Sequence, residues 1–68
     1  MTYTEEELEA LADAAGVRWK TKMRSADVSD KYYVWLSNHT HMSYGETRQE
    51  AMNFHWNRYI NGEVNPYK

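Results

Sequence analysis

From Val17 to Arg24 the chain alternates without a break: Val17, Trp19, Thr21 and Met23 fall on one side of an extended backbone and Arg18, Lys20, Lys22 and Arg24 on the other. A period of two is the pattern of a strand with one packed and one solvated face. This run commits the middle of the chain to a sheet, and the segments on either side have to supply what covers it.

Both flanks read as helices. Thr4 followed by Glu7 is a capping box, in which the threonine hydroxyl takes an orphan backbone N–H and the glutamate returns to another, with Tyr3 and Leu8 at the hydrophobic staple positions. Leu8, Leu11, Ala12 and Ala15 recur at helical spacing, Glu6, Glu9 and Asp13 lie outward, and Gly16 stands where a left-handed residue ends a helix. Thr47 and Glu50 repeat the box before a second helix from about Arg48 to Asn61, with Gly62 as its stop. On a helical wheel Ala51, Met52, His55, Trp56, Tyr59 and Ile60 form its core half, while Phe54 projects from the polar side beside Asn57 and Arg58.

Between these helices "SADVSD" reads as a polar turn and "KYYVWLS" as a second strand, joined to the first as a hairpin. In "NHTHMSY", His39, His41 and Ser43 alternate with Thr40, Met42 and Tyr44, which fits a short third strand or a loop. The expected fold is α+β: two helices with a small two- or three-stranded antiparallel sheet, in the order α-β-β-(β)-α. Residues 1–62 form a single domain, and residues 63–68, with the one proline, form a loosely ordered tail.

At 68 residues the core is small, and without cysteine there is no disulfide, thiolate zinc site or cysteine nucleophile. An acidic start with no apolar run, and no stretch near the ~20 apolar residues of a membrane span, give the expectation of a soluble cytoplasmic protein, monomeric or a small homo-oligomer. The net charge of −2 hides a segregation: Glu5, Glu6, Glu7, Glu9 and Asp13 precede Gly16 with no cation among them, and four cations with no acid follow by Arg24.

The order helix, strand, strand, possible strand, helix, with the last helix entered through "GETRQEA", resembles the double-stranded RNA-binding domain. That family grips phosphates with lysines at the start of its last helix, whereas here Arg48 stands between Glu46 and Glu50. The chain is also similar in style to small accessory proteins of bacteriophages, which are short, cysteine-free, aromatic-rich α+β domains. This second resemblance implies binding and inhibition of a bacterial host protein.

Neither an enzyme nor a metal site is expected from the residues. Ser25, Ser29, Ser37 and Ser43 lack the glycine-framed turn that exposes a nucleophile, and Gly16, Gly45 and Gly62 make no phosphate loop. His39 and His41 have the i, i+2 spacing of two ligands on one side of a strand, with His55 as a conceivable third, yet no carboxylate stands beside them; His55 reads instead as a core-edge residue donating to a backbone carbonyl. No cofactor is implied.

The aromatics point to binding. If both helices cover one sheet face, either Tyr33 and Trp35 or Tyr32, Val34 and Leu36 stay outside, whereas helices on opposite faces would bury both sets. Exposed aromatics beside cations have the composition of binding hot spots. The expected contact surface is Arg18, Lys20, Lys22, Arg24, Tyr33 and Trp35, with Phe54 and Arg58 as a second patch, and the expected partner is a protein with an acidic patch. The alternative is nucleic acid, tracked by the same cations with the rings as stacking planes.

Overall fold

In a computed structural model that describes residues 2–25 and 27–64, two helices enclose three antiparallel strands in sequence. The order is α1 (Glu5–Ala15), β1 (Trp19–Met23), β2 (Tyr32–Leu36), β3 (Ser43–Gly45) and α2 (Arg48–Ile60), with β2 in the middle of the sheet. The fold is α+β, as the sequence pattern requires.

The capping chemistry sets the helix boundaries. At α1 the Thr4 hydroxyl accepts from Glu7 N at 3.2 Å and the Glu7 carboxylate accepts from Thr4 N at 2.9 Å, completing the box. Gly16 closes the helix at φ 75°, a left-handed conformation that an L side chain resists. At α2 the Thr47 hydroxyl accepts from Glu50 N at 3.1 Å, and this half of the expected box is the half that forms. Three acids in the first turn of α1 and Arg58 in the last turn of α2 complement the helix dipoles.

Both helices pack on the same face of the sheet. Leu8 and Ala12 of α1, Trp19, Val34 and Leu36 of the strands, and Ala51, Met52 and Trp56 of α2 form one continuous core. The Trp19 indole N–H donates to Leu8 O at 2.8 Å, so the polar end of this buried ring is satisfied by the helix above it. α2 lies across β3 and β2, which is why the inward side of β1 is covered only at Trp19; Thr21 and Met23, expected to be packed, are exposed. The approach of α2 to β3 is close enough to require Gly45, where a Cβ would stand 2.6 Å from Ala51 N.

Several core assignments shift in register with what covers them. Ala15 is exposed and Leu11 half-buried, so the α1 stripe reduces to Leu8 and Ala12. Ile60 is 60% exposed, while Asn53, seven residues earlier on nearly the same line of α2, is buried. The N-terminal segment makes the difference. Asn53 accepts from Tyr3 N at 2.7 Å through Oδ1 and donates to Tyr3 O at 2.8 Å, pairing with that residue's backbone as a strand would. Among the described residues no such segment covers Ile60. Of the expected tail, Glu63 N donates to Arg58 O at 2.8 Å and Val64 is buried; residues 65–68 lie outside the described residues.

Candidate binding surface and a buried polar chain

The hairpin register decides which side chains share the outer face. Lys20 pairs with Trp35, Lys22 with Tyr33, and Tyr33 in turn with Tyr44 of β3. Directly paired residues project to the same side. Arg18 and Arg24 continue the row at either end of β1, held by Ser37 N donating to Arg18 O and by Arg24 N donating to Lys31 O. Because the helices occupy the inner face, nothing among the described residues covers this outer one. Tyr33 and Trp35 are half-buried by their neighbours, and Tyr44 is 47% exposed.

Six of the expected contact residues, Arg18, Lys20, Lys22, Arg24, Tyr33 and Trp35, are thereby brought together, and the face gains a seventh. The alternation of Tyr44 with Ser43, in the segment whose pattern fits either a strand or a loop, is the sequence signal for it. The Arg24 guanidinium lies over the Tyr44 ring, 5.1 Å from its centroid, and the Tyr33 and Tyr44 rings meet at 5.5 Å with their planes tilted by 52°. The surface is a mosaic in which cations and rings already touch.

Phe54 and Arg58 lie elsewhere, on α2. Phe54 is 54% exposed with the Arg58 guanidinium 5.5 Å from its centroid. Arg58 is also committed inward: its Nη1 donates to Ser43 Oγ at 2.8 Å and to Met42 O at 3.3 Å, tying α2 to β3.

Behind Arg58 runs a polar chain that the sequence does not announce. Ser43 Oγ stands 2.8 Å from His55 Nδ1, and His55 Nε2 stands 2.6 Å from His39 Nδ1; all three residues are buried. Donor accounting assigns the protons. Arg58 can only donate, so Ser43 Oγ accepts from it and gives its own hydrogen to His55 Nδ1; His55 then carries its proton on Nε2 and donates to His39 Nδ1. The contacts from Arg58 through Ser43 and His55 to His39 are thus all made with both rings neutral. Burial holds His55 down to about 4, reinforced by electrostatic repulsion from His39, Arg58 and His41 toward a charge on its ring, and burial likewise lowers His39.

This arrangement replaces the expected donation from His55 to a backbone carbonyl. It also separates His39 from His41: the chain turns after Leu36, with His39 N donating to Leu36 O at 2.8 Å, so His39 folds inward onto Tyr59 while the exposed His41 meets Thr40. Two imidazole nitrogens 2.6 Å apart are too close to flank zinc, whose tetrahedral ligands at about 2.0 Å stand about 3.3 Å from one another. No group of three or more histidine, cysteine, aspartate or glutamate side chains suited to a metal occurs among the described residues. Ser43, with no accessible surface, is closed to substrate.

A second polar junction holds the layers together. Arg48, at the start of α2, donates to Glu5 and, at 3.0 Å, to Glu9 of α1, and its Nε donates to Thr21 Oγ1 of β1 at 3.0 Å. The arginine that stands between two acids in sequence is thus engaged by two others.

Fold and surface together define a small α+β domain with helices on one side of its sheet and an open cationic and aromatic face on the other. Compared with protein-family models, curated proteins and solved structures, the chain matches none. Among the described residues no helix is long and apolar enough to cross a membrane.

Proposed function

We propose that this chain is a non-enzymatic protein-binding module that meets an acidic patch on its partner with the outer face of its sheet. The observation that carries the reading is the register placing Lys20 beside Trp35 and Lys22 beside Tyr33. Rigid aromatic area flanked by long cations is what interface hot spots are made of, and the cations select an acidic partner and speed its encounter. The bland alternative, a solvated face, accounts for the lysines but not for Trp35, Tyr33 and Tyr44 in one patch. With Ser43 and both core histidines closed to substrate, binding is the activity this reading assigns. The resemblance to phage accessory proteins extends the proposal to inhibition: capping an acidic patch of a bacterial host protein would deny it to other partners.

Nucleic acid on the same face is the rival. Successive bases stack best on parallel platforms, whereas Tyr33 and Tyr44 are tilted to each other and Arg24 already occupies Tyr44. The test is capture from a bacterial lysate with the native chain and with Lys20→Glu/Lys22→Glu, beside a salt titration with random duplex and single-stranded DNA. Recovery of an acidic protein by the native chain alone supports the proposal. Tight nucleic-acid binding whose logarithm falls steeply with salt sinks it.

A further inference from the structure

β1 pairs with β2 on one side only, and its other edge is unpaired among the described residues. The bonds at its two ends set the parity of that edge. Ser37 N donates to Arg18 O and Arg24 N donates to Lys31 O, so the even-numbered residues of this strand turn their main-chain groups toward β2. In an antiparallel ladder such residues alternate with residues whose N–H and C=O face away. Trp19, Thr21 and Met23 therefore present theirs to the open edge, and Thr21 and Met23 are exposed.

Lysines on an edge strand ordinarily block further pairing. Here the block is selective. A second copy of β1 would set cation against cation, but a strand with carboxylates at alternate positions would satisfy both the open ladder and the row Lys20, Lys22, Arg24. The inward side narrows the choice further. Next to Thr21 the Arg48 guanidinium, bonded to Thr21 Oγ1 and Glu9, makes a polar surrounding that suits a hydroxyl side chain, whereas Met23, 62% exposed, offers an apolar contact.

Resting on the protein-binding reading, we propose that the free edge of β1 takes an extended acidic segment of the partner as a fourth strand. Its carboxylates would lie at i, i+2 and i+4 on the outer face beside Lys20, Lys22 and Arg24, its main chain would bond Thr21 and Met23, and its intervening residues would be one hydroxyl and one apolar side chain. The backbone ladder supplies affinity and the alternating charges supply selection.

The experiment uses the full chain and four probes: a peptide built on Glu-Thr-Glu-Val-Glu, the same composition with the acids grouped together, the first peptide N-methylated at its ladder positions, and oligothymidylate. Affinity is read by fluorescence anisotropy, and hydrogen exchange is read at the Thr21 and Met23 amides. The alternating peptide should bind, slow exchange at both amides, and lose about tenfold or more in affinity on grouping or N-methylation, the scale of one or two lost hydrogen bonds. Equal binding of the N-methylated peptide with no protection at Thr21 and Met23, or no peptide binding at all, overturns strand addition. The wider reading fails separately, if Lys20→Gln/Lys22→Gln, folded by its melting curve, captures the lysate partner as well as the native chain does. Tighter binding of oligothymidylate than of any peptide overturns both in favour of nucleic acid.

Discussion

His39 Nδ1 and His55 Nε2 stand 2.6 Å apart in the core, with one proton between them. The pair is comfortable only when neutral, because a charge on His55 would face Arg58 and turn Nδ1 from acceptor to donor toward Ser43. His55 titrates at about 4 in the folded chain against an ordinary 6.5 once unfolded, so between those values the unfolded state binds more protons. The stability it contributes is complete above pH 6.5 and is lost as pH falls through about 4. At about 1.4 kcal/mol per pH unit the loss reaches about 3 kcal/mol, with lowered His39 acting in the same direction. Urea midpoints measured from pH 7 to pH 4 should fall accordingly, and in His55→Gln the slope should flatten. A native midpoint independent of pH over this range would mean the rings are not enclosed.

Arg58→Gln probes the other end of the chain. It removes the donor to Ser43 Oγ and weakens the tie to Met42 O, costing about 1 to 3 kcal/mol, as the loss of a hydrogen bond to a buried group does. It also removes one of the charges that hold His55 down. A histidine NMR titration should therefore show His55 titrating higher than in the native chain, and the part of the stability that is lost between pH 7 and pH 4 should be correspondingly smaller. A lower melting temperature with an unmoved His55 titration would show that Arg58 acts through packing alone.

The parts of the fold that were legible are the parts written locally. Thr4 and Glu7 are three residues apart, and the alternation from Val17 to Arg24 needs no partner to be read, so the helix starts and the cationic strand face follow from sequence. The buried chain joins residues 12 and 16 apart, and the Arg48 junction joins residues 39 and 43 apart. No periodicity encodes such meetings. Arg58 misleads for the same reason: it lies on the polar side of the helical wheel, yet β3 passes beside it and gives it Ser43 to hold. His39 and His41 look like neighbours on a strand because the strand starts later than their alternation suggests, at Ser43.

Gly45→Ala tests the contact that seats α2 on β3. The added methyl would meet Ala51 N at 2.6 Å and Ala51 Cα at 2.9 Å, both backbone atoms in the first turns of a helix that cannot swing away without uncovering Met52. Overpacking of this kind costs about 1 to 3 kcal/mol. Thermal melting should show the loss, and Gly62→Asn, at a left-handed position with open space around it, should be far milder. Equal effects at the two glycines would contradict the close approach.

Phe54 and Trp56, two residues apart on α2, separate surface from core. Trp56 is 8% exposed and its ring meets Trp19 at 6.3 Å and Tyr59 at 5.3 Å, so truncation to alanine should cost about 3 to 5 kcal/mol. Phe54 is 54% exposed, and the Arg58 guanidinium lies over its ring, a contact worth about 0.5 to 1 kcal/mol at an exposed site. Arg58 keeps its bonds to Ser43 and Met42 without the ring, so Phe54→Ala should change stability by no more than about 1 kcal/mol and leave the His55 titration where it was. Denaturant midpoints decide the first expectation and NMR the second. If Phe54→Ala instead moved the His55 titration, the ring would be fixing the position of Arg58, and this exposed phenylalanine would belong to the buried chain rather than to the surface.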